Sequence, residues 1–153
     1  MMRAGLWPQA PVLALSLWTF TAPVHAFNLV SLQEMQASQA ASEAFTAKVS
    51  PVPGAPQIEV VHPKLDGPVA SPTPIQLLFL PSGSSSVRPE TFKVLYGRLR
   101  LDITQRLVNE AKITAEGISV KEANLPKGSH QLLLRVEDLQ GRQGMKHLDI
   151  DIK

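Results

Sequence analysis

The clearest alternation lies at the end of the chain. Leu132, Leu134 and Val136 fall on one side, and Gln131, Leu133, Arg135 and Glu137 on the other. After a turn at residues 138–144, Leu148, Ile150 and Ile152 share one side, and His147, Asp149, Asp151 and Lys153 the other. A period of two on both flanks of a glycine-containing turn predicts an antiparallel hairpin with one buried face. Two strands are not stable alone, so the preceding chain must complete a sheet core.

That chain supplies further strand patterns. Ile58 and Val60 alternate with Glu59, and residues 75–80 (IQLLFL) are apolar on both faces, as in a central strand. Phe92, Val94 and Tyr96 share one face of a strand that a turn or bulge at Gly97 interrupts. Leu99, Leu101 and Ile103 continue the alternation, with Arg98, Arg100 and Asp102 on the far side. Residues 104–111 (TQRLVNEA) predict one short helix, capped by Asp102 or Thr104. Ile113, then Ile118 with Val120, form a strand pair around Gly117, and Leu125-Pro126-Lys127-Gly128 is a tight turn. The connections at 63–74 and 81–89 are rich in Pro, Gly and Ser, and the second reads as a mobile loop. About seven short strands spaced by turn signals predict an all-β antiparallel sandwich.

The first part of the chain reads differently. Arg3, the apolar run at 11–20, Pro23 and Val24-His25-Ala26 form the pattern of a signal peptide, residues 1–26, cleaved near Ala26. The run is about ten residues long against the roughly 20 that span a bilayer, so no transmembrane segment is expected after cleavage. Ser31 and Glu34 fit a capping box that opens a helix over residues 31–47. Its stripe of Ala37, Ala40, Ala41, Ala44 and Phe45 has one large residue, so the helix gains little by docking. It reads as a frayed leader, or as a partner-binding helix anchored by Phe45. Residues 50–56 (SPVPGAP) form an extended Pro-rich linker. The expected organisation is therefore a signal peptide (1–26), a helical segment (27–49), a linker (50–56) and a β-domain (57–153).

Composition narrows the function. The 153-residue chain has 15 basic and 13 acidic residues, a near balance that gives no reason to expect a nucleic-acid partner. It has no cysteine, which removes disulfides, thiolate ligands, Cys nucleophiles and a lipid-anchored Cys.

Several motifs together resemble a bacterial immunoglobulin-like domain over residues 56–153. They are Pro74-Ile75 leading into a strand that ends at Phe79, the turn Leu125-Pro126-Lys127-Gly128, and Gly128-Ser129-His130 opening the alternation at Leu132. Asp138-Leu139-Gln140-Gly141 then closes the hairpin. The resemblance implies a binding, adhesion or spacer module. It also implies that His130 is a corner residue tying its strand to neighbouring backbone. A fold of this kind does not itself dictate an activity.

Candidate chemistry is sparse. His62 ends a strand beside Pro63, and His147, Asp149 and Asp151 share one strand face. Successive members of that face stand about 6–7 Å apart, a gap that short Asp side chains do not close around one ion. These four are weak metal candidates, and a solvated face paired with Arg135 is the expected state. The serine run at 82–86 lacks a nucleophile elbow. Arg98 and Arg100 on a shared outer face could meet an anionic partner.

These readings predict a non-enzymatic protein-interaction or structural domain of the bacterial cell envelope, periplasmic or secreted. Its expected partner is another envelope protein, with no cofactor. The alternative is a periplasmic copper, zinc or small-ligand carrier of the small β-sandwich type using His62, His147, Asp149 and Asp151.

Overall fold

A computed structural model describes residues 27–42 and 52–153. The strands are β1 (Phe27–Asn28), β2 (Gln57–His62), β3 (Thr73–Leu80), β4 (Val87–Tyr96), β5 (Leu101–Asp102), β6 (Lys112–Thr114), β7 (Gly117–Asn124), β8 (Gly128–Asp138) and β9 (Gln143–Ile152). The helices are α1 (Leu32–Ala40) and α2 (Thr104–Glu110). One sheet has the order β1-β7-β3-β2, with β6 also on β7; the other has the order β5-β4-β8-β9. The expected signal peptide lies outside the described residues.

Alternation decides which side of each strand is buried. Ile75, Leu77 and Phe79 of β3 and Ile118 and Val120 of β7 face one way. Phe92, Val94 and Tyr96 of β4 meet them from the other sheet, with the β8 and β9 residues Leu132, Leu134, Val136, Leu148, Ile150 and Ile152. All belong to one hydrophobic cluster, so the two sheets share a core, and Phe79 packs on Phe92 with ring centroids 5.6 Å apart. The β8–β9 hairpin is in unbroken register from Gly128↔Ile152 to Glu137↔Gln143.

Its turn is built on Asp138, whose buried carboxylate accepts from the backbone N–H groups of Gln140 and Arg142 at 2.9 Å and from Arg142 Nε at 2.7 Å. Burial alone would raise the Asp138 pKa; those hydrogen bonds outweigh it and hold the carboxyl below its ordinary value.

Two local expectations change. Residues 98–100 are not a strand: Gly97 has φ 64° and Arg100 φ 53°, and the Arg100 N–H returns to the Gly97 carbonyl at 3.2 Å. Pairing resumes only at β5, so Arg98 and Arg100 do not share a strand face. At the end of the serine loop the Ser86 carbonyl accepts the Leu139 N–H at 3.0 Å. Arg135 stands opposite Met145, not opposite Asp149 or Asp151.

The chain from β2 to β3 crosses between sheets. It leaves β2 at His62, and Val69 then bridges Ile152 of β9 in parallel, with Val69 N–H donating to the Asp151 carbonyl at 2.7 Å. This crossing covers the end of the β9 edge.

Leu134→Ala is expected to lower stability by about 2–5 kcal/mol in denaturant unfolding, because Leu134 sits in the shared core. Leu139→Ala, at the exposed hairpin tip, should stay within about 0.5 kcal/mol.

Candidate functional site

The N-terminal segment is where the structure departs furthest from a frayed leader. Phe27 and Asn28 pair in parallel with Ala123 and Asn124 of β7, and the Leu29 N–H reaches the Asn124 carbonyl at 3.0 Å. Leu29 and Val30 are then 1% and 2% exposed and belong to the same core cluster as both sheets. The two fully buried anchors thus precede the helix, along which Met35 packs partly buried against the same core.

Ser31 caps α1. Its hydroxyl accepts the Glu34 N–H at 3.2 Å, and the Glu34 carboxylate accepts the Ser31 N–H at 2.9 Å. The same carboxylate is gripped by Arg106 of α2, Nη1 to Oε2 at 2.7 Å and Nη2 to Oε1 at 2.6 Å. Arg106 Nη1 also donates to the Leu29 carbonyl at 3.3 Å. A bidentate guanidinium–carboxylate pair combines charge with fixed geometry. The Arg106 hydrogen bonds, helped by Ser31, hold Glu34 down at about 2 against its ordinary 4.5.

The far end of α1 is fitted against a turn. Ser38, the buried residue of the helix, accepts the Arg98 N–H at 3.0 Å. A β-carbon at Gly97 would collide with the Ser38 hydroxyl, so glycine both permits the turn's positive φ and admits the helix. Arg98 Nη1 donates to the Ala41 carbonyl at 3.1 Å. Arg98 therefore holds α1, while half-buried Arg100 sits in the turn beside exposed Leu99.

Beneath α1 lies a buried polar pair. His130 Nε2 is 2.7 Å from the Pro126 carbonyl, which only accepts, so this nitrogen carries a proton. His130 Nδ1 then accepts from the Tyr96 hydroxyl at 2.9 Å. Burial and the nearby Glu34 charge push the Tyr96 phenol up to about 12, so the hydroxyl keeps the proton that it donates. His130 thus ties the start of β8 to the preceding turn and to β4.

The other candidates are dispersed. His147, Asp149 and Asp151 lie exposed on the outer face of β9, opposite Leu133, Gln131 and Ser129, and the Ser129 hydroxyl bonds Asp151. His62 is half-buried at the end of β2, in the other sheet. Among the described residues no three His, Asp or Glu side chains are placed to hold one ion. Phe45 lies outside the described residues. No helix among those described is long and apolar enough to cross a membrane.

One open groove, of about 520 Å³, runs between the β4 edge (Pro89, Glu90, Lys93), α2 (Gln105, Val108) and Ile113 of β6. Its rim is guarded against strand addition, since Pro89 offers no N–H and Lys93 is paired with Asp102 at 3.2 Å. Comparison with protein-family models, with curated proteins and with solved structures finds no match to this chain.

Two measurements check these contacts. Tyr96→Phe leaves the buried His130 Nδ1 without a donor and should cost about 1–3 kcal/mol in unfolding free energy. Glu34→Gln keeps the capping chemistry and removes the charge. Because the Glu34 pKa is lowered on folding, the clamp's contribution is complete above about pH 4.5 and is lost as pH falls towards 2. The stability gap between wild type and Glu34→Gln is expected to be about 1–2 kcal/mol at pH 7, allowing for half-exposed Arg106, and to close across that window.

Proposed function

We propose that this chain is an exported, non-enzymatic interaction or structural module of the bacterial cell envelope, built on an immunoglobulin-like sandwich. The strand order supports the fold reading: β2-β3-β7 faces β5-β4-β8-β9, and the chain after β2 crosses to pair with β9. The leader pattern of residues 1–26 supports export, and Phe27, the residue after Ala26, is already paired in a sheet.

The observation that carries the functional reading is how the buried and tightly held polar groups are used. Glu34, Arg106, Ser38, His130, Tyr96, Asp138 and Arg142 each fix backbone, a helix end or one another. Such use of polar side chains belongs to a rigid mount that presents its surface to a partner. The Gly97 turn with Leu99 and Arg100 is a prominent part of that surface, as Leu99 is 48% exposed.

Affinity capture from envelope extract with the full chain should retain a specific envelope protein. Leu99→Asp combined with Arg100→Glu should weaken that capture by tenfold or more without changing the melting temperature. Failure to retain any partner, together with a thermal shift on adding copper or zinc, would overturn the reading in favour of a carrier. Ligand at 100-fold over its dissociation constant stabilises a fold by about 2.7 kcal/mol.

A further inference from the structure

The groove that holds residues 27–41 is specified in detail. It takes two adjacent aliphatic side chains, Leu29 and Val30, into the core. It pairs the residues before them with the β7 edge, and it grips a carboxylate four residues beyond Val30 through Arg106. It closes on a small hydroxyl residue at Gly97. An occupant must present Leu-Val-Ser-x-x-Glu-x-x-x-Ser in this order, and a second copy of the chain carries that sequence.

The described contacts that hold the segment run between it and the body that starts at β2, so a segment from either copy would make the same ones. None of these contacts dictates which copy supplies the segment. The segment ends beside Arg98, near the level of Gln131 in β8, since the Gly97 N–H bonds the Gln131 carbonyl at 2.7 Å. The chain resumes beside Arg142 and Gly144, at the level of Val136. These levels are about 17 Å apart along the strand. The chain from 42 to 54 can cover at most about 40 Å. That limit exceeds the separation of the two levels, so chain length does not bar the segment from a second copy.

We propose that this groove is a self-association site, in which the N-terminal segment of one copy seats in the body of a second. The proposal rests on the interaction-module reading above and names the partner as the chain itself. Exchange of an identical element is a low-cost route to a dimer, because each copy regains the contacts it gives up. A short tether gives the segment an effective concentration in its own groove of about millimolar. Closed monomers then dominate in dilute solution, and exchanged dimers form where copies are crowded or the closed latch is weakened.

Charge reversal tests this with the full chain. The Glu34→Arg chain alone sets two cations against each other, and the Arg106→Glu chain two anions. Mixing them offers the native latch in one direction and its mirror in the other. The mixture is expected to give a heterodimer by native mass spectrometry at tens of micromolar, with each variant alone monomeric. Two folded variants that stay monomeric when mixed would overturn the proposal.

If either variant fails to fold, a second pair of chains carries the test. Asn28 and Asn124 are register partners, and the native chain has no cysteine. Asn28→Cys and Asn124→Cys chains mixed at about 1 mM under oxidation should form a disulfide between unlike chains, at a separation the bond accepts. Its absence overturns the proposal. Loss of self-association with retained capture of an envelope protein would remove the exchange and leave the interaction-module reading standing; loss of both would remove both.

Discussion

One carboxylate does two jobs on which the placement of the N-terminal segment depends. Glu34 closes the capping box of α1 and simultaneously meets Arg106 of α2 in a bidentate pair. The cap gives a nine-residue helix a defined start; the ion pair fixes that start against the body. Leu29 and Val30, just upstream, are thereby set into the core, and Ser38, downstream, reaches the Gly97 turn. A helix with an exposed Leu32, and with Met35 as its one large apolar contact to the core, is thus held mainly by its two ends instead of by a hydrophobic stripe.

The same logic runs through the body. Short polar contacts fix places where strands alone would leave the chain undetermined. His130 joins the start of β8 to the Pro126 turn and to Tyr96, and Asp138 builds the hairpin turn. Thr104 accepts the Val94 N–H at 2.9 Å and so sets the start of α2 against β4. Each of these groups is buried, where an unmet hydrogen bond is costly, so each narrows the set of allowed arrangements.

What was legible in the sequence follows from which signals are local. The β8–β9 hairpin was readable because alternation and an Asp-x-x-Gly turn both lie within about 25 residues. The Ser31–Glu34 cap was readable for the same reason. The docking of α1 was not, because its partner Arg106 lies 72 residues away and its apolar anchors precede the helix. The 99–103 alternation misled because a glycine turn can carry apolar residues at even spacing without strand pairing; Leu99 is exposed, and only Leu101 and Asp102 pair with β4. Of the proposed partner-binding residues, Arg98 is engaged with α1, which no spacing rule shows.

Residues 27–41 are part of the folded body. Native-state hydrogen exchange tests it at three amides: Leu29, bonded to Asn124; Met35, bonded to Ser31; and Ala41, bonded to Ala37. Leu29 is expected to be protected within about tenfold of the slow amides of β7 and β8, with Met35 and Ala41 exchanging through opening of the same segment. Exchange of all three at free-peptide rates, while β8 stays protected, would contradict it.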